Sequence, residues 1–112
     1  MKARAPVTPA AALPQTWSHA PDRYILRLFV AGMTARATRA IENIRRICDA
    51  HLSNRYDLEV IDVYQQPALT KAEQIIAAPT LIKKSPLPLR RIVGDMSRTD
   101  QVLVGLDLAR PN

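Results

Sequence analysis

The 112-residue chain holds one cysteine, three glycines and only 4% aromatic residues. A single cysteine excludes an internal disulfide and a cysteine-only zinc cage, so nothing demands an oxidising compartment. Three glycines leave no phosphate-cradling loop, because P-loop and dinucleotide fingerprints need several at fixed spacing. So few aromatics make a poor platform for stacking single-stranded bases. No run approaches the roughly 18 apolar residues of a membrane span. Acidic residues are also the minority charge: ten Asp and Glu against sixteen Lys and Arg give +6. That excess favours anionic partners. What remains is a 47% apolar chain, enough for one core but not for separate cofactor and substrate domains.

Composition changes near residue 22. Residues 1–22 carry four of the nine prolines (Pro6, Pro9, Pro14, Pro21) and no periodic apolar pattern. Each proline fixes φ and removes a donor, so the segment reads as a disordered arm ahead of a domain spanning residues 23–112. A secretory signal is the competing reading, from Met1-Lys2-Ala3-Arg4 and Ser18-His19-Ala20, but Pro6, Pro9 and Pro14 interrupt its apolar region. A cytoplasmic location is expected.

Tyr24 to Val30 is apolar on both faces except at Arg27, as in a buried parallel strand. Thr34 is a candidate N-cap. Beyond it Ala37, Ile41, Ile44, Cys48 and Leu52 recur at helical spacing, with arginines largely elsewhere. Leu58 to Tyr64 is a second strand, completing a βαβ unit. Thr70-Lys71-Ala72-Glu73 fits a capping box opening a short helix through Ala77. Residues 78–83 and 89–93 fit an antiparallel pair, and Ser97-Arg98-Thr99-Asp100 fits another capping box. Residues 101–108 satisfy period two and a helix equally, and Gly105 is poor in either. A βαβ-α-ββ-α order gives a mixed sheet flanked by helices, the thioredoxin-like arrangement.

That frame would place a redox thiol where the first strand meets the first helix. The junction here, Ala31-Gly32-Met33-Thr34-Ala35-Arg36, has none, and Cys48 lies on the apolar stripe at the helix's other end. Cys48 and His51 are three apart, but a structural metal site needs about four ligands. Glu59 and Asp62 point to opposite faces of one strand, and Ser85 and Ser97 lack a base. No catalytic residue, cofactor or metal is expected. Basic residues form two clusters, Arg36, Arg39, Arg45 and Arg46 on the helix and Lys83, Lys84, Arg90 and Arg91 around the hairpin. They could track phosphates, which leaves weak nucleic-acid binding as an alternative.

Five blocks then resemble one family in order and spacing: Tyr24 to Gly32, Leu58 to Val63, Ala78-Pro79-Thr80-Leu81, Pro88-Leu89-Arg90-Arg91-Ile92-Val93-Gly94-Asp95, and Val102-Leu103-Val104-Gly105-Leu106-Asp107-Leu108. They closely resemble KaiB, the small non-enzymatic component of the bacterial circadian clock. The resemblance implies a thioredoxin-like first half and a second half that switches between two packings. The resting form would be a homotetramer or homodimer. A thioredoxin-like monomer would bind a KaiC-type ATPase, sequester KaiA and compete with a sensor histidine kinase that has its own KaiB-like domain. A stand-alone module binding such a kinase is the second alternative.

The resemblance assigns switching to Gly105, Asp107 and Pro79, and partner contact to Arg39, Lys83, Arg90, Arg91, Gly94 and Asp95. Three departures imply a divergent paralogue in stress or signalling: the altered 31–37 loop, the additional arm, and the lack of the family's acidic tail after Asn112. The isolated chain is expected in the tetramer-associated packing. On helix-propensity and dipole grounds, Gly105→Ala with Asp107→Arg should favour a C-terminal helix by roughly 1–2 kcal/mol. Fewer tetramers by size-exclusion chromatography and tighter binding to the ATPase are the expected readouts.

Overall fold

The computed structural model describes residues 23–109; the arm over residues 1–22 and the competing signal reading lie outside them. Seven elements follow one another: β1 (Tyr24–Val30), α1 (Ala35–Leu52), β2 (Tyr56–Asp62), α2 (Pro67–Ala72), β3 (Thr80–Ser85), β4 (Arg90–Val93) and α3 (Thr99–Gly105). One sheet runs β2-β1-β3-β4. β1 and β2 pair in parallel from Tyr24 with Tyr56 to Val30 with Asp62. β3 lies antiparallel to β1 and β4 antiparallel to β3.

β1 is apolar on both faces because it is covered on both. Tyr24, Leu26, Leu28 and Val30 join Ala37, Ala40, Ile44, Cys48 and Leu52 of α1 and Val102 and Leu106 at α3 in the main core. Phe29 faces the other way and packs with Ile61 and Ile82 beneath Leu69 and Ile75. Arg27, the one charge in the run, emerges on that thinner side. α1 starts where the sequence predicts: the Thr34 hydroxyl accepts a 3.1 Å bond from the Ala37 N–H, satisfying one of the first-turn donors.

The shorter helices differ from the expectation. α2 runs Pro67–Ala72, not from Thr70 to Ala77. Pro67 fits the first helical turn, where its missing N–H costs nothing. Thr70 lies inside the helix, its hydroxyl donating to the Gln66 carbonyl at 2.8 Å. Gln74 then takes φ +57°, which stops propagation before Ile75. The second capping box is also absent, since the α3 N-cap position is Arg98, with no side-chain bond. Instead Asp95 Oδ1 accepts from the Ser97 N–H at 3.1 Å and turns the chain one step earlier.

Residues 99–105 are helical, not extended, because that period buries Val102 and Leu106 together. Gly105 belongs to the packing: a Cβ there would lie 2.7 Å from Ile92 Cδ1. Asp107 is beyond the helix, at φ +62°, so the dipole argument for replacing it with Arg does not carry over. The second half has the thioredoxin-like packing in this structure. Thr34→Ala should lower stability by about 1 kcal/mol through loss of the cap, read as a lower urea midpoint at unchanged m.

Candidate functional site

Lys83 points from β3 into the main core and is 1% exposed, among the largest fully buried side chains. A buried ammonium needs a partner. Asp107, in the turn after α3, supplies it: Lys83 Nζ donates to Asp107 Oδ2 at 2.7 Å. Arg90 of β4 closes the other side, its Nε and Nη2 each 3.1 Å from the same carboxylate. The Tyr24 ring lies 5.7 Å from the Lys83 nitrogen, and its hydroxyl donates to the Leu106 carbonyl at 3.4 Å. First and last described elements are thus latched together through β3. Hydrogen bonds from Arg90 and Lys83 hold the Asp107 carboxyl at about 2, below its ordinary 3.8.

A second clamp occupies the opposite face. Glu73, just after α2, accepts from Arg27 Nη1 at 3.1 Å and from Lys84 Nζ at 2.7 Å. Arg91 donates to the backbone carbonyls of Glu73 and Gln74 at 2.9 and 3.3 Å. The bond from Lys84, then the charges of Lys84, Arg27 and Arg91, hold the Glu73 carboxyl below its ordinary value. All four basic residues of the hairpin cluster therefore have intramolecular partners. Beside this clamp an open groove of about 700 Å³ is lined by Thr70, Lys71, Gln74, Ile76, Arg91 and Val93.

The α1 cluster is different. Arg39 Nε is 3.7 Å from Asp95 Oδ2, a loose contact with 58% of the arginine side chain exposed. Asn43 donates to the Asp95 carbonyl at 2.9 Å and fixes the β4–α3 loop against α1. Gly94 opens that loop at φ +122°, a backbone conformation suited to glycine. Its N–H donates to the carbonyl of Pro79, which follows a cis peptide. Pro79 and Gly94 thus meet at one end of the sheet, while Gly105 and Asp107 meet the other partners of the hairpin.

The strand-helix junction contains no thiol. Cys48 is fully buried, and desolvation, reinforced by Asp49, raises its thiol to about 12. Asp62 is structural, accepting from the N–H groups of Tyr64 at 2.9 Å and Gly32 at 3.3 Å. His51 is exposed in the last turn of α1. Among the described residues no helix is long and apolar enough to cross a membrane.

A family model described as the KaiB domain matches residues 27–108. The chain belongs to the KaiB family. It is 49% identical over 87 residues to the circadian clock protein KaiB3 of Synechocystis, covering 78% of this chain and 85% of that protein. It is 47% identical over 85 residues to the circadian clock oscillator protein KaiB of Synechococcus elongatus, covering 76% and 83%. Among solved structures, the N-terminal domain of Synechococcus elongatus SasA superposes with a TM-score of 0.68 at 20% identity, covering 92% of this chain and 98% of that one. Mitochondrial thioredoxin 3 of Saccharomyces cerevisiae superposes with a TM-score of 0.61 at 18% identity, covering 79% and 81%. These likenesses establish the thioredoxin-like fold.

On this KaiB-family fold, the residues assigned to partner contact by resemblance fall into three places. Lys83 and Arg90 meet Asp107 in the latch, and Arg91 belongs to the Glu73 clamp; Arg39, Gly94 and Asp95 share the α1 corner. Sequence reasoning treated Tyr24 as plain core and did not single out Glu73 as a hub. Their partners lie 82 residues away for Tyr24 and up to 46 away for Glu73, beyond any local pattern.

The lowered Asp107 value has a definite sign. The folded state holds the proton less tightly than the unfolded chain, so the stabilisation is complete above about pH 4 and is lost as pH falls towards 2. Asp107→Asn should flatten that part of the acid-unfolding curve, followed by circular dichroism. At neutral pH, Asp107→Ala should cost about 2–3 kcal/mol, less than the ~3–5 kcal/mol of a fully buried pair because Asp107 is partly exposed.

Proposed function

We propose that this chain is a non-enzymatic, cytoplasmic regulatory adaptor that binds a KaiC-type ATPase in the thioredoxin-like arrangement described above. Family membership supports this reading, and so does a strand-helix junction without a nucleophile, paired carboxylates or thiol. The observation that carries it is the Lys83–Asp107–Arg90 latch: residues 83, 90 and 107 all lie in the half that the KaiB family repacks, and one carboxylate joins them. When that carboxylate leaves, Lys83 is a buried cation without its partner, so the second half gains or loses this packing as a unit. The resting state is a homotetramer or homodimer with the other packing, and the ATPase draws out the thioredoxin-like monomer. A minor binding-competent state lowers apparent affinity by its fractional population.

Arg39, Gly94 and Asp95 form the contact corner in this arrangement. Gly105, Asp107 and Pro79 set the balance between packings, and Lys83, Arg90 and Arg91 act through the positions they hold. The domain comprises residues 23–112, with residues 1–22 as an accessory arm.

The test mixes the full chain with a KaiC-type ATPase and measures complex formation and oligomer size. Gly105→Ala is the informative variant. Its Cβ would lie 2.7 and 2.9 Å from Ile92 Cδ1 and Cγ1, and overpacking this β-branched side chain, at about 1–3 kcal/mol, outweighs the gain of about 1 kcal/mol in helix propensity. A larger oligomer share and weaker ATPase binding are expected. Unchanged size together with no complex would overturn the adaptor reading.

A further inference from the structure

Four of the arginines on the surface of this chain were candidates for one basic patch, and the helix geometry sorts them. Arg36, Arg39 and Arg46 fall on a single ridge of α1, with Asn43 between them, because residues three, seven and ten apart lie within about 80° of arc at 3.6 residues per turn. Arg45 projects to the opposite side. The ridge is about 15 Å long from Arg36 to Arg46 at 1.5 Å per residue. All three arginines are exposed. Arg46 Nη1 contacts the neutral Asn43 at 3.0 Å, and Arg36 makes no hydrogen bond or close ion pair among the described residues, its charge reaching Asp95 only at longer range. One internal carboxylate, Asp95, answers the three guanidiniums, reaching Arg39 at 3.7 Å.

We infer that this ridge docks a carboxylate-rich segment of a partner protein, by bidentate arginine-carboxylate pairing. The width of the ridge selects that occupant. Asp95 borders it on one flank and Glu42 and Asp49 lie on the other, so a broad phosphate front, as on duplex nucleic acid, would meet repelling carboxylates at both margins. A narrow acidic ridge, such as one face of an acidic helix, meets only the guanidiniums. Asp95 is then the internal competitor for Arg39. The inference goes beyond the ATPase reading and needs neither the latch nor a change of packing, because α1 belongs to the N-terminal βαβ unit.

The probe is a fluorescently labelled oligo-glutamate peptide, titrated with the full chain at low ionic strength and followed by anisotropy. Arg36→Glu with Arg46→Glu should weaken binding about tenfold. Arg55→Glu with Lys71→Glu, an equal change in net charge on exposed residues elsewhere, should weaken it no more than about twofold. Asp95→Asn, which keeps the acceptor for the Ser97 N–H, should strengthen binding, and amide shifts should concentrate on residues 36–46. Circular dichroism verifies the fold, and the neutral Arg36→Gln with Arg46→Gln serves if charge reversal disturbs it. Equal loss in both charge-reversed variants would overturn the inference. So would tighter binding of a duplex DNA fragment through the same arginines. Failure here leaves ATPase binding untouched, and failure of ATPase binding leaves this result untouched.

Discussion

A lysine nitrogen inside a hydrophobic core is the constraint on which the second half of this molecule depends. Lys83 stands opposite Leu26 of β1 in the sheet, with the Tyr24 ring over its nitrogen. Its charge is tolerable there only because Asp107 comes down on it from the end of α3. That requirement explains why the chain leaves the helix at Leu106 and takes a left-handed turn at Asp107: a continued helix would carry the carboxylate away from β3. It also explains why Leu106 is completely buried, since the polar contact and the apolar one are two sides of the same turn. Arg90 then completes the neutralisation from β4, so the hairpin and the C-terminal turn stand or fall together.

The scaffold shared with thioredoxins has no cysteine between β1 and α1 here. The loop from Ala31 to Thr34 has the same place, between β1 and α1, but presents a backbone bend tied down by Asp62. What the fold retains is a sheet whose β1, β2 and β4 end, and whose β3 begins, along one rim. The cis-proline loop and Gly94 adjoin across that rim, close to the α1 surface.

The first half was legible from the residues because its signals are local. Thr34 caps α1 within three residues, the apolar stripe of α1 repeats at helical spacing, and the parallel pairing follows from two strands joined by one crossover, although β2 runs Tyr56–Asp62, two residues ahead of the expected Leu58–Tyr64. The second half was less legible because its decisive contacts are distant. Thr70-x-x-Glu73 imitates a helix start, yet Pro67 had already begun the helix and Glu73 is needed by Arg27 and Lys84. Lys83, Lys84, Arg90 and Arg91 imitate a basic patch, yet each has an acceptor within the molecule. Gly105 looks like a weak point in a helix until the Ile92 side chain is placed against it. Composition describes how many cations a segment has; only the fold decides which of them remain available to another molecule.

Cys48 carries a consequence of a different kind. Its side chain is fully buried in the main core, and its proton is held far more firmly than in a free thiol. Alkylating reagents attack thiolates, so they meet none in the closed molecule. Modification then proceeds only through opening of the main core, and under fast reclosing its rate measures the free energy of that opening. The chain contains its own reporter on the core that α1, β1 and α3 share, with no engineered label required.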